Sequence, residues 1–247
     1  MGQTCNDKTT NVKSYLYKEK LTLKDNSSHF DLKVKRDVGR FEVMKVIQEP
    51  ESYFDETPKL GDKFGPSYST QMFKVKFHIP KKWIEADPNC EIHFIWNAGC
   101  EASLYNPKTG KHLSAITENV REVYHIKDGK TKNDLADPDL VESADGEKIT
   151  VCYLLEMACQ EMFGNWKEST WGGIVDMDKF FEFKKCEIGL FNPKVEEYFY
   201  NIQMIRDAAK LLDKKQTTLA HVYLDFVYDM ANQYLFPIED EDLTEAI

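Results

Sequence analysis

Gly65-Pro66-Ser67-Tyr68-Ser69-Thr70-Gln71-Met72-Phe73-Lys74-Val75-Lys76-Phe77-His78-Ile79-Pro80 reads as a turn that launches a strand and a proline that closes it. Phe73, Val75, Phe77 and Ile79 recur at every second position, with Lys74, Lys76 and His78 between them. That period of two belongs to a strand with one buried face. Pro80 has no N–H to continue a ladder, so the strand stops there.

Similar short runs flank it. Ile92–Trp96, Ala102–Tyr105, Arg121–Ile126, Ile149–Glu156, Phe180–Phe183 and Cys186–Phe191 all read as strands. Asn106–Lys111 reads as a hairpin turn leading to His112. Upstream, Leu32–Lys35 is expected to pair with Phe41–Ile47 across the Asp37–Arg40 turn, and Asp128–Lys148 is expected to be an exposed loop. Many short strands separated by turn residues, without helices between them, predict an antiparallel β-sandwich over residues 31–191.

The ends differ from this middle. Residues 1–30 are polar and read as a mobile arm, with one strand near Tyr15–Tyr17. After Asn192 the period changes to that of a helix, with Pro193 at its first position. Val195, Tyr198, Phe199, Ile202, Ile205, Ala208, Ala209 and Leu212 form one apolar stripe. A second helix is predicted from Thr217 or Thr218 to about Tyr234, with Leu219, Val222, Tyr223, Phe226, Val227, Met230 and Tyr234 on its buried side. Residues 192–236 thus read as a helical hairpin packed on the sandwich, and 237–247 as an acidic tail.

Composition narrows the function. The chain has 247 residues and a formal net charge of −10, which argues against nucleic acid, since a phosphate backbone is met by clustered Lys and Arg. No segment approaches the roughly 20 apolar residues that span a bilayer, and the start carries no apolar signal core. Cys5, Cys90, Cys100, Cys152, Cys159 and Cys186 include no CxxC pair and no zinc-ligand spacing. Reduced thiols in a cytoplasmic protein are the expectation, with no metal and no cofactor.

Beyond these patterns, the Gly65–Pro80 stretch resembles the N-terminal ancillary domain of the cytosolic and vacuolar type of glycoside hydrolase family 38 α-mannosidase. The likeness continues through Glu91–Ala102, Leu155–Gly164 and Cys186–Asn192 into the helix that follows. The resemblance implies a jelly-roll, galactose-binding-like sandwich with the helical hairpin leading toward the catalytic domain. In that family a zinc-dependent catalytic barrel follows this domain, and the chain ends where the barrel would begin, so no catalysis is expected from this chain alone. The family's zinc site opens with His-x-Asp followed by Ala-Trp. The tripeptide of that form here, His29-Phe30-Asp31, is followed by Leu32-Lys33 and reads as a coincidence. Asn97-Ala98 stands where the family has an acidic and a hydroxyl residue, Met72 where an aromatic is common, and Tyr105 where Trp is frequent.

Candidate sites follow from residue type. Trp96 with Glu101, and Trp166 with Trp171, are candidates for a sugar platform, an indole face stacking on a pyranose while carboxylates take the hydroxyls. For Trp96, at the end of an apolar strand, burial in the core is the competing reading. As for catalysis, Glu101, Glu156, Glu161 and Glu187 read as structural carboxylates or contacts to a neighbouring domain rather than a catalytic pair. Met162, Phe163, Tyr198 and Tyr234 are candidates for a partner interface. Gly2 and Cys5 are candidates for acylation, although Asn6 occupies the position where Ser or Thr is usual. The reading that emerges is a binding and assembly module, with a protein partner or a second copy as its ligand. The alternatives are a piece of an α-mannosidase that trims free oligomannosides, and a carbohydrate-binding module.

Overall fold

β4 (Thr70–Pro80) lies within a sheet and pairs antiparallel along its whole length with β10 (Lys148–Ala158), from Thr70↔Ala158 to Pro80↔Lys148. The computed structural model describes residues 16–39, 41–48, 53–86, 90–118, 121–128, 141–145, 148–167, 173–212, and 218–226 apart from 220 and 224. Phe73, Val75, Phe77 and Ile79 are fully buried as their pattern requires, but Met72 and Lys74 on the opposite face are buried too, and Lys76 and His78 are partly exposed.

Around this pair the larger sheet runs in the order β2 (Phe30–Lys35), β4, β10, β6 (Glu101–Tyr105), β7 (His112–Ile116), with β9 (Val141–Asp145) also pairing with β10. The second sheet runs β1 (Tyr17–Thr22), β12 (Lys185–Phe191), β5 (Glu91–Asn97), β8 (Val123–Asp128). A short ribbon pairs β3 (Lys63–Phe64) with β11 (Phe181–Glu182). One apolar core draws Phe73, Val75 and Phe77 from the larger sheet together with Phe94, Trp96, Cys186 and Ile188 from the other. This is the two-layer solution that lets each sheet bury one face.

The larger sheet is covered on its other face too. Helix α1 (Val43–Gln48) places Val43, Val46 and Ile47 against Met72 and Leu154 in a second cluster. That explains the unbroken apolar run Cys152–Leu155, all fully buried, because a strand buried on both faces has no polar alternation to show. It also corrects the expected hairpin: β2 pairs with β4, and Phe41–Ile47 supplies a helix instead of a strand. In so short an apolar run the two periods coincide at Val43, and burial at Val43, Val46 and Ile47 with Phe41 and Met44 exposed is helical spacing.

Further departures are local. The sheet starts at Tyr17, inside the stretch read as an arm, and Leu23 N–H donates to Cys186 O at 3.0 Å. β9 lies within the predicted Asp128–Lys148 loop. Helix α2 (Lys81–Ala86) follows Pro80 directly and buries Trp83 and Ile84.

The chain divides into two compact units, residues 19–190 and residues 1–18 with 191–247. The first holds the sandwich core. In the second, helix α3 (Pro193–Leu212) buries Val195, Phe199 and Ile202 along one face. The Asn192 carbonyl accepts from Glu196 N–H at 3.3 Å as the helix opens. The described residues of 218–226 are helical as predicted, but Leu219, Val222, Tyr223 and Phe226 are exposed, not buried. The apolar spacing identified a helix face; it did not supply a surface to cover that face.

Candidate functional site

The turn that opens β4 is fastened to two later segments. Ser67 Oγ donates to Asp176 O at 2.5 Å, Tyr68 N–H to Cys159 O at 2.8 Å, and Cys159 N–H to Ser69 O at 2.9 Å. Asn165, fully buried, links the other two: its Nδ2 donates to Cys159 O at 2.9 Å, its Oδ1 accepts from Glu161 N–H at 3.0 Å, and its carbonyl accepts from Asp176 N–H at 2.8 Å. Lys179 Nζ lies 2.5 Å from Glu161 Oε1. A Cβ on Gly65 would stand 2.9 Å from both Lys179 O and the Phe180 ring, which is why glycine opens the motif.

These tied segments carry large apolar side chains that face water. Tyr68 is 47% exposed, Met162 42%, Phe163 57%, Ile174 74%, Met177 56% and Phe180 53%. Tyr68 also sits at φ 63°, a left-handed backbone that an L-residue adopts at a cost. Met162 and Phe163 were predicted interface residues, whereas Tyr68, Ile174, Met177 and Phe180 were not singled out. Their signal was weak, since an exposed apolar residue in a loop has no periodicity. Asn165 was missed as well, although the Gly164-Asn165 dipeptide is a turn signal. The Tyr198 side chain and Trp171, Tyr234, Gly2 and Cys5 lie outside the described residues.

Trp96 takes the core position that competed with the sugar platform, and the Trp166–Trp171 pair falls partly outside the described residues because Trp171 does. Trp96 is fully buried, its ring centroid 4.6 Å from that of Phe183 and 5.0 Å from that of Phe73, so no indole face is left for a pyranose. Glu101 accepts from Gln160 Nε2 at 2.9 Å. Trp166 is half-buried, and its Nε1 donates to Phe163 O at 2.8 Å. The other carboxylates are engaged: Glu156 Oε2 accepts from Tyr105 O–H at 2.8 Å, and Glu187 Oε2 lies 3.1 Å from Lys20 Nζ. Burial and the bond to Glu156 push the Tyr105 hydroxyl up to about 12. Asn97 is buried; its Nδ2 donates to Glu122 Oε1 at 2.6 Å and its Oδ1 accepts from Gly99 N–H at 2.9 Å.

Among the described residues, one group of side chains has ligand atoms close enough to share a metal ion: Glu91, His93 and His125. His93 and His125 are directly paired across β5 and β8, and Glu91 lies two residues before His93 on the same strand face. His93 is buried, and burial first, then the neighbouring His125, lower its imidazole to about 3. His125 lines a cleft of about 420 Å³ with Ser114, Arg121, Glu122 and Tyr124. The residues of His29-Phe30-Asp31 have a structural placement: His29 Nδ1 lies 3.2 Å from His78 O, and Asp31 sits opposite Lys76.

Two mostly antiparallel sheets closing over one aromatic core are the architecture of a jelly-roll domain. Residues 29–189 match the family described as the jelly roll domain of alpha-mannosidase, and the chain belongs to that family. It is 30% identical over 209 residues to alpha-mannosidase G of Dictyostelium discoideum, covering 83% of this chain and 17% of the relative. It is 25% identical over 185 residues to human alpha-mannosidase 2C1, covering 73% of this chain and 16% of the relative. With an alpha-mannosidase of Saccharomyces cerevisiae the identity is 27% over 153 residues, covering 62% and 12%. The chain therefore spans about one sixth of the length of the first two relatives.

Proposed function

We propose that this chain is a non-catalytic jelly-roll module that docks onto the catalytic portion of an α-mannosidase through the surface bearing Tyr68, Met162, Phe163, Ile174, Met177 and Phe180. The observation that carries the proposal is the exposure of these side chains on segments that are themselves rigidly bonded. Exposed apolar groups on a firmly held frame fit a partner surface better than a mobile loop does. Their family context supplies the occupant: the relatives that share this domain devote most of their length to something else. The buried, reduced cysteines Cys90, Cys100, Cys152, Cys159 and Cys186 suit a reducing compartment such as the cytoplasm.

The test mixes the purified chain with the part of Dictyostelium alpha-mannosidase G that lies outside the shared domain, and follows association by sedimentation velocity. A defined complex is expected, weakened at least tenfold by Phe163→Glu or Ile174→Glu. Absence of a complex, or one indifferent to both changes, overturns the reading.

A further inference from the structure

We propose that Glu91, His93 and His125 form a binding site for one zinc-class divalent cation on the β5–β8 pair. The donor set is two imidazoles and a carboxylate, a combination suited to zinc and its neighbours and poor for magnesium or calcium, which take oxygen ligands. The spacing suits the same ion. His93 Nε2 lies 3.2 Å from Glu91 Oε2, and His125 Nδ1 lies 3.7 Å from that same oxygen. Ligands held about 2.0–2.1 Å from a tetrahedral ion sit roughly 3.3 Å apart, so both edges are already near the length a shared ion requires. All the ligand atoms lie within 4.8 Å of one another.

Hydrogen bonding accounts for one edge of the arrangement, His93 Nε2 to Glu91 Oε2 at 3.2 Å. At 3.7 Å the His125–Glu91 contact is too long for a hydrogen bond. Yet the two rings are brought to a centroid separation of 4.3 Å with both facing one carboxylate. A cation bridges all three groups at once.

The scaffold is rigid where it needs to be. Glu91 and His93 share one strand face, and His125 is the direct cross-strand partner of His93. A register shift between Ile92 and His93 interrupts the pairing at this point, and such bulges commonly re-aim side chains at sites. His93 is buried while the His125 side chain is 53% exposed, so one ligand is fixed and the other is free to close on the ion from the cleft side. Three protein ligands leave a fourth position, and the neighbouring cleft provides room for water there.

The inference is independent of the docking surface, which uses other residues. Its test uses the full 247-residue chain, stripped with chelator and titrated with zinc chloride by calorimetry. Cobalt(II) is substituted in parallel to give a visible spectrum. One equivalent of zinc is expected, with a cobalt spectrum of tetrahedral type and a rise in melting temperature. His125→Ala should lower zinc affinity at least tenfold and abolish the cobalt spectrum while leaving the metal-free melting temperature unchanged, because His125 is exposed. Glu91→Gln should also weaken zinc by at least tenfold. No binding by the parent chain, or binding that persists unweakened in His125→Ala, overturns the proposal.

Discussion

The indole N–H of Trp83 donates to Glu19 Oε2 at 2.8 Å, fastening helix α2 to strand β1. Lys82 Nζ lies 2.9 Å from the same carboxylate oxygen. Trp83 is buried, so its N–H depends on this acceptor. The bond from Trp83, and then that from Lys82, hold the Glu19 carboxyl below its ordinary value. A carboxylate lowered in the folded state contributes stability above its unfolded pKa, and that contribution is lost as pH falls through the native value. Glu19→Gln should therefore cost about 1 kcal/mol or less at pH 7, since the group is nearly half exposed, and still less in acid. Urea melts of both proteins at pH 7 and pH 3 check this. A difference that grows on acidification refutes it.

The thiols give a second prediction. Cys90, Cys100, Cys152, Cys159 and Cys186 are buried and free. Burial pushes the thiols of Cys100, Cys159 and Cys186 up. Only a thiolate attacks a disulfide reagent, so these groups should be inert while the fold is intact. Titration of a Cys5→Ser variant with an aromatic disulfide at pH 8 should release almost no colour natively and the full five equivalents in denaturant. Rapid native reaction at any of the five would show that the core opens more readily than its packing implies.

How legible the molecule was in its sequence differs from place to place, for physical reasons. Phe73, Val75, Phe77 and Ile79 announced their strand because one face meets the core and the pattern records it. The helix at Val43–Gln48 was hidden, because six residues are too few for periods of two and 3.6 to separate. The helix Lys81–Ala86 gave no signal beyond Trp83-Ile84, two adjacent apolar residues. The proposed docking surface was half visible: Met162 and Phe163 lie in a stretch of family likeness, but Tyr68 is tied to their segment only through the bonds at Cys159 and Asn165. Glu91-x-His93 has the spacing of one strand face, but His125 joins it by register, which no local motif encodes.

Trp96 offers a direct separation of core from binding roles. Its ring is enclosed by Phe73, Phe94 and Phe183 and is fully buried. Removing so large a side chain forfeits its transfer free energy and leaves a cavity, so Trp96→Ala should destabilise the fold by about 3–5 kcal/mol. Chemical denaturation followed by far-ultraviolet circular dichroism measures it. A loss below 1 kcal/mol would mean that the indole is not packed as described, and would return Trp96 to the sugar platform.

Tyr68 links backbone cost to function. At φ 63° any L-residue pays for its left-handed conformation, whereas glycine adopts it freely. Yet the position carries a tyrosine that is about half exposed, on a turn bonded through Cys159 to the segment that bears the proposed docking surface. Retaining strain under an exposed aromatic is what a binding residue would do, because the ring is of use only when a partner covers it. Two substitutions separate the terms. Tyr68→Ala and Tyr68→Gly both remove the ring, but only glycine relieves the backbone. The glycine variant should therefore be more stable than the alanine variant by about 1 kcal/mol, while both bind the α-mannosidase catalytic portion more weakly, to a similar degree. Thermal denaturation gives the first comparison and sedimentation velocity the second. Equal stability of the two variants would remove the strain argument. Undiminished association of both would remove Tyr68 from the docking surface.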